Sequence, residues 1–521
     1  GEALGSSASL WGEQVISYGD SGVLANRGTH PGRVATGPRT VSAGSGAVSV
    51  TPVPPEYDRA MRIPADDRPS LPRSGEPDVG RLRRLSGGDA LLDRLRAELD
   101  LPSREGAPHD HSAIPLPSRL ATGELAWASV DAVALASGRS PSDVDAARIA
   151  TAYRSDRVLT IDGSAPPVWS PFSGFWRSAD GWVRTHGNYP HHAAGLRAAL
   201  SLSDDAGADD VRDVLARRTT TEAVTDITAC GGLAVAVAPE NPETDRKLRE
   251  RPLLEITEFD TRMPSRLRAV SPDASPGALP LRGLRVLDLT RVIAGPVCTR
   301  TLALLGADVL RVDPPRLPEP EWQHLDTGHG KRSTVLDARS NRLQELLAAA
   351  DAVVLGYRPA ALARLGLLPE VLAQRYPGLV IAQLSAWGTD APDRAGFDSL
   401  VQAASGIALI EAIDGETPGT LPAQALDHSA GYLLAAAVIG LLGRRSPESG
   451  SRYVRTSLRR VAAELLGMPR RREPAPAAVI DPHPHLARFD VGGRVVVTSR
   501  PVLTDLEFEA PHAWGSDQPV W

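Results

Sequence analysis

Cysteine is almost missing from this chain: Cys230 and Cys298 are the two in 521 residues. That excludes a disulfide framework and falls far short of a cysteine-built metal cluster, so no metal is expected. An excess of positive charge is missing too. The net charge of −6 argues against a nucleic-acid partner, although local basic patches stay possible. No apolar run reaches the ~18 residues of a membrane span. The most apolar segment, Tyr432 to Leu442, reads as a buried helix instead. No secretory leader is recognisable, so no membrane association and a cytoplasmic location are expected. Lysine is scarce beside abundant Ala, Arg, Gly and Pro, a composition typical of a GC-rich bacterial genome.

What is present suggests about two to four domains by length. Residues 1–84 are rich in Gly, Ser, Pro, Thr and Arg, with little apolar periodicity, and read as low-complexity and poorly ordered. A region follows over 85–263. It opens with a short amphipathic helix carrying Leu91, Leu92, Leu95 and Leu99 on one face. His109 and His111 lack a third ligand nearby and read as loop. From about 165 to 260 the text is mixed α/β, with a hairpin turning at Asp180-Gly181. His186, His191 and His192 read as surface or packing residues. A Pro-, Ser- and Arg-rich linker spans 264–280, a large domain 281–470, and a linker and tail 471–521.

The most informative stretch runs from Gly283 to Pro315, GLRVLDLTRVIAGPVCTRTLALLGADVLRVDPP. Val286 to Leu289 is an apolar run suited to a strand buried on both faces. Ala294-Gly295-Pro296 breaks it, with Pro296 fit for the first turn of a helix. Gly306 stops that helix, and Val309 to Val312 supplies the next strand. Strand, helix and parallel strand make one βαβ unit. The helix start after Ile293 offers free backbone N–H groups to a phosphate. No GxGxxG fingerprint occurs here, so a dinucleotide is not indicated.

The wording of this stretch resembles the opening of the family III CoA-transferases (CaiB/BaiF, the carnitine dehydratase/bile-acid-inducible family). The resemblance continues to about Gly467. HGKRSTVLD at 329–337, Gly356-Tyr357-Arg358-Pro359, Ala386-Trp387-Gly388 and Gly396-Phe397-Asp398 are each similar to a family segment. The 165–260 text resembles the family's small domain, here placed before the large domain rather than after it. The chain therefore looks like the rear of one family copy followed by the front of a second. Two departures stand out: PPRLPEPEWQHLD replaces the family's GD-x-x-R element, and Arg455 stands where an Asp is usual.

The resemblance implies an α/β fold: a doubly wound, parallel, Rossmann-like sheet with a second, smaller α/β domain. It implies an interlocked homodimer and no tightly bound cofactor. Coenzyme A and acyl-CoA would serve as substrates, with a carboxylic acid as the other partner. Val292, Ile293, Ala294, Lys331, Arg332 and Arg358 would line the CoA groove. Asp427, in LDHSAG, would be the nucleophile, forming an aspartyl-CoA thioester; by itself, an Asp before an apolar helix reads only as a cap. Asp398 is expected to cap its own helix. The N-terminus of the helix after Asp427 is expected to stabilise the oxyanion. One alternative is an acyl-CoA racemase or isomerase, disfavoured because Phe397 replaces that branch's His and cannot move a proton. The other is a degenerate member that binds CoA without turnover.

Overall fold

Runs of Val, Ile and Leu bounded by Gly, Pro and Asp become the strands of this computed structural model. It describes residues 86–103, 114–139, 145–261, 268, 279–446, 450–474 and 480–521. The 1–84 stretch, His109, His111 and most of the 264–280 linker lie outside the described residues. In chain order the strands are β1 (Thr160–Ile161), β2 (Gly174–Arg177), β3 (Trp182–Thr185), β4 (Ala234–Ala236) and β5 (Glu255–Glu258). They continue with β6 (Arg285–Leu289), β7 (Asp308–Asp313), β8 (Lys331–Val335) and β9 (Ala352–Leu355). β10 (Val380–Ser385), β11 (Arg452–Ser457), β12 (Leu486–Val491) and β13 (Arg494–Ser499) complete the set.

Seven strands form the central sheet in the order β5-β11-β10-β9-β6-β7-β8. All its pairings are parallel except that of β5. From β6 the chain winds outward through β7 to β8. It then crosses back to β9 on the other side of β6 and winds outward again. The sheet is thus doubly wound, with its switch point between β6 and β9, where ligands of open α/β sheets bind beyond the strands' carboxyl ends.

Strand periodicity sorts the apolar residues onto two faces. Val286, Val309, Val354, Ala382 and Val454 join one core. Leu287, Leu289, Leu310, Val353, Leu355 and Ile381 join the other. Each fully buried aliphatic side chain contributes roughly 1.5–3 kcal/mol relative to exposure. Helix Ala425–Gly443 covers the first face and is buried almost all round. Helices Gly87–Leu99 and Thr122–Ala136 join that same core, far from the sheet in sequence. On the other face lie helices Asn341–Ala348, Pro359–Arg364 and Pro369–Arg375.

Within 165–260, β2, β3 and β4 form a separate antiparallel sheet. Helices Pro190–Leu200, Ala208–Leu215 and Thr220–Ala229 surround it with their own core. The end of that expected module needs correcting, because β5 leaves it and pairs with β11. Arg452 lies opposite Glu258, and Arg455 opposite Glu255, with ion pairs at 2.9 and 2.6 Å. Unlike charges facing across the ladder fix the register, and the added strand covers an otherwise open edge. Arg455 therefore has a structural partner at the position where the family carries Asp.

The opposite edge, β8, is covered by the C-terminal tail. The Asp517 N–H donates to the Ser333 carbonyl at 2.8 Å, and the Ser333 N–H to the Asp517 carboxylate at 2.7 Å. The Trp521 indole N–H donates to the Leu346 carbonyl. A third sheet, β1-β13-β12, closes the list, its β12–β13 hairpin turning at Gly492-Gly493.

Candidate active site

The site starts where β6 ends. Asp288, buried in that strand, accepts from Thr290 at 2.5 Å, Thr299 at 2.6 Å and the Lys331 ammonium at 3.1 Å. These bonds hold the strand end against the first turn of helix Ala294–Leu304. Thr290 is wedged between two glycines. A Cβ on Gly295 would lie 2.3 Å from the Thr290 Cβ, and one on Gly356 would lie 2.9 Å from it. Only glycine allows the turns after β6 and β9 to close this tightly. Between them Val292 sits at φ +72°, which a β-branched residue adopts only under constraint. The first-turn N–H groups of Ala294 and Gly295 have no acceptor among the described residues. Unpaired N–H groups at a helix start suit an anion. The structure thus gathers Val292, Ile293 and Ala294 into one loop at the switch point.

Asp427 comes to this loop from the other side. It lies in the first turn of helix Ala425–Gly443, whose N-cap is Gln424. Four residues on, a Cβ at Gly431 would stand 2.5 Å from the Ala294 carbonyl. Residues four apart share a helix face, so Asp427 lies on the face that meets the Val292–Ala294 loop. Its side chain is buried, and its carboxylate has no hydrogen-bond donor among the described residues. Burial, then the neighbouring Asp398 charge, pushes its pKa well above the usual carboxylate range.

Asp398 does not cap its own helix, contrary to expectation. Phe397 holds that N-cap position without a side-chain bond. The Asp398 carboxylate instead accepts the Asp427 backbone N–H at 2.9 Å and the Gln402 amide. The Gln402 amide oxygen in turn accepts from the Leu421 N–H at 2.9 Å. The N–H of Asp427 is therefore taken, which corrects the expectation that this helix end stabilises an oxyanion. The free donors are those of Ala294 and Gly295. His428, beside Asp427 in sequence, stacks on Tyr153 at 5.0 Å, and burial holds its imidazole down to about 3.

The three predicted cations separate. Arg358 follows β9 and is exposed at the carboxyl edge, its guanidinium donating to the Asp393 carbonyl at 2.9 Å. Arg332 must be withdrawn from the groove, because it starts β8 at the sheet's amino end, whereas the Lys331 side chain beside it reaches the loop after β6. The Lys331 ammonium is buried on Asp288 and the Pro296 carbonyl, and burial lowers its pKa to about 8. Arg332 pairs with Asp308 at 2.8 Å, against Trp521.

The small sheet supplies residues that the sequence did not reveal as site residues. The Tyr189 hydroxyl donates to Glu319 at 2.6 Å, and Glu319 also pairs with Arg291 and Arg311. His186 stacks on Phe397 with ring centres 4.1 Å apart. Leu233 and Val235 pack on Leu400 and Ala403. Segment 186–192 thereby meets Phe397 through His186 and His192, and Arg291 through Tyr189. No sequence periodicity could show this, because the contacts join separate sheets.

Among the described residues no group of three or more His, Cys, Asp or Glu is placed to hold a metal. One described helix, Ala425–Gly443, is long and apolar enough to cross a bilayer, and it is buried inside the protein.

Residues 281–480 match the family model of CoA-transferase family III. The resemblance read from the sequence is borne out over that segment. The Probable fatty acyl-CoA transferase Rv3272 of Mycobacterium tuberculosis is 32% identical over 213 residues, covering 37% of this chain and 54% of that protein. The human succinyl-CoA:glutarate CoA-transferase is 28% identical, covering 33% and 43%. The acetyl-coenzyme A transferase nodX of Hypoxylon pulicicidum is 34% identical, covering 34% and 32%. Among solved structures, Rv3272 aligns over 36% of this chain and 56% of its own, at 32% identity and a TM-score of 0.34. The chain spans about half the length of the first of these relatives, and less of the others.

Proposed function

We propose that the protein transfers coenzyme A from an acyl-CoA donor to a carboxylic acid, with Asp427 as the nucleophile. One observation carries this reading: a buried carboxylate, free of hydrogen-bond donors among the described residues, on the helix face that meets a strained, donor-rich loop at the switch point. A buried carboxylate without partners is costly unless it has a task. The named relatives, each a transferase of CoA by its printed name, support the class of reaction.

An Asp427 carboxylate oxygen attacks the thioester carbonyl carbon. The C–S bond breaks, giving a mixed anhydride and CoA thiolate. The thiolate attacks the Asp427 carboxyl carbon and expels the donor's acid, leaving an aspartyl-CoA thioester. The acceptor carboxylate attacks that thioester, and the same steps run in reverse. Ala294 and Gly295 N–H groups, with the helix dipole behind them, stabilise the developing oxyanion. Arg358 serves a CoA phosphate at the carboxyl edge. The Val292–Ala294 backbone lies beside the pantetheine arm. The reaction takes place in the cytoplasm, where CoA thioesters are formed and used.

Asp427→Asn tests the reading. Transfer should fall by orders of magnitude while CoA affinity stays within a few-fold. Hydroxylamine added to the parent with acyl-CoA should modify Asp427 and no other acid. Full activity in the Asn variant would end the mechanism.

A further inference from the structure

The small sheet's module reaches the loop after β6 through Tyr189, the N-cap residue of helix Pro190–Leu200. Tyr189 is buried, and its hydroxyl donates to Glu319 at 2.6 Å. The Glu319 carboxylate, its side chain wholly buried, also accepts from Arg311 at 2.7 Å and from Arg291 at 3.3 Å. Arg291 is held at two further points. Its guanidinium donates to the Pro318 carbonyl at 3.1 Å and lies over the Tyr189 ring, 4.7 Å from the ring centre. The next residue is Val292, whose φ of +72° opens the Val292–Ala294 loop. Tyr189, Pro318 and Glu319 thus grip the chain immediately before its left-handed turn.

The charges in this cluster are already balanced. Arg311 also forks onto Asp313 at 2.8 and 2.9 Å, so two guanidinium groups face two carboxylates. Burial works against the Glu319 charge, but Arg311 and Arg291 hold its pKa below the usual range, and the carboxylate stays ionised. Burial, then Glu319, pushes the Tyr189 phenol well above its ordinary value, so it stays a donor. Arg291 therefore serves this cluster and not a phosphate, although it adjoins the loop. A β-branched residue keeps a positive φ only where its surroundings over-determine it. Arg291 supplies that constraint before Val292. After it, the Val297 N–H holds the Ile293 carbonyl at 2.7 Å.

We propose that Tyr189 and Glu319 are positioning residues: they hold Arg291, and through it the left-handed Val292, so that the Val292–Ala294 loop stays shaped for CoA. That role rests on the CoA-transfer reading and extends it to the small sheet's module, whose contribution is to order the loop. Removing the Tyr189 hydroxyl loosens the loop while both ion pairs of Glu319 stay in place.

Tyr189→Phe tests this, since it keeps the ring beside Arg291 and removes only the hydroxyl. Hydrogen exchange over residues 290–297, read by mass spectrometry on the CoA-free chain, should quicken at least about threefold. Exchange at the parental rate overturns the proposal. Calorimetric titration should show CoA affinity about three- to tenfold below the parent's. If Tyr189 acts through the loop, its loss adds nothing once the strain at Val292 is gone. In a Val292→Gly background, Tyr189→Phe should therefore change CoA affinity by less than about twofold. Equal losses in the two backgrounds would mean a role elsewhere, overturning the proposal and sparing the CoA-transfer reading. A parent that does not bind CoA ends that reading, and exchange alone then decides for or against the positioning role. If the Val292→Gly chain does not fold, Glu319→Gln takes its place in the cycle, with the same two outcomes.

Discussion

The backbone N–H of Asp427 donates to the carboxylate of Asp398 at 2.9 Å, so one buried acid caps the helix that carries another. The pair fixes the position of Asp427, the proposed nucleophile, and makes its ionisation unfavourable at the same time. The geometry of this proposed site is maintained against electrostatic cost, as in sites where activity and stability oppose each other.

That opposition has a pH signature. Burial and mutual repulsion raise the folded-state pKa of Asp427 above its unfolded value. A raised folded pKa means tighter proton binding in the folded chain. The resulting stability is full below the unfolded value of about 4 and is lost as pH rises through the folded pKa. Asp427→Asn avoids that loss. Its melting temperature should exceed the parent's by on the order of 2 °C or more at pH 8, with the gap closing toward pH 4. A gap independent of pH would show that Asp427 does not ionise in this range.

Arg358 and Arg332 should behave oppositely. A charge-assisted phosphate contact contributes roughly 1.5–3 kcal/mol, so Arg358→Ala should weaken CoA binding about tenfold or more. Arg332, paired with Asp308 at the amino end, should be replaceable by Ala with little change in CoA affinity. Calorimetric titration of both variants decides; a larger loss at Arg332 would reverse the placement of the groove.

Lys331→Met should damage the fold rather than the binding groove. It leaves Asp288 buried without its cation, a loss of about 3–5 kcal/mol in comparable buried pairs. Urea unfolding should show it, and adding Asp288→Asn should restore part of the stability. A stable single variant would mean that Thr290 and Thr299 suffice to satisfy Asp288.

Val292→Gly should relieve the left-handed backbone, which costs a non-glycine residue about 1–2 kcal/mol. The loop loses pre-organisation in exchange. Melting temperature is expected to hold or rise while CoA affinity falls; a clear drop in stability would mean that Val292 packing outweighs its strain.

The family resemblance also implies a homodimer. Light scattering at micromolar concentration should give twice the chain mass, and a strict monomer would refute the expectation.

Sequence alone determined the parallel core of the central sheet. Most strands from β6 to β10 carry short apolar runs between turn residues, and local patterning specifies such elements. Asp427 stands out as a candidate only through the family resemblance, because an acid before an apolar helix reads by itself as a cap. Tertiary structure decided whatever depends on which strand end a side chain occupies. Lys331 and Arg332 read as phosphate ligands from wording, and the parallel register of β8 turned them toward Asp288 and Asp308. Asp398 read as a local cap, and packing gave it to a helix elsewhere in the chain. His186 and His192 looked like ordinary packing residues. Only the docking of the small sheet brought them onto Phe397, because contacts between distant segments leave no period in the sequence.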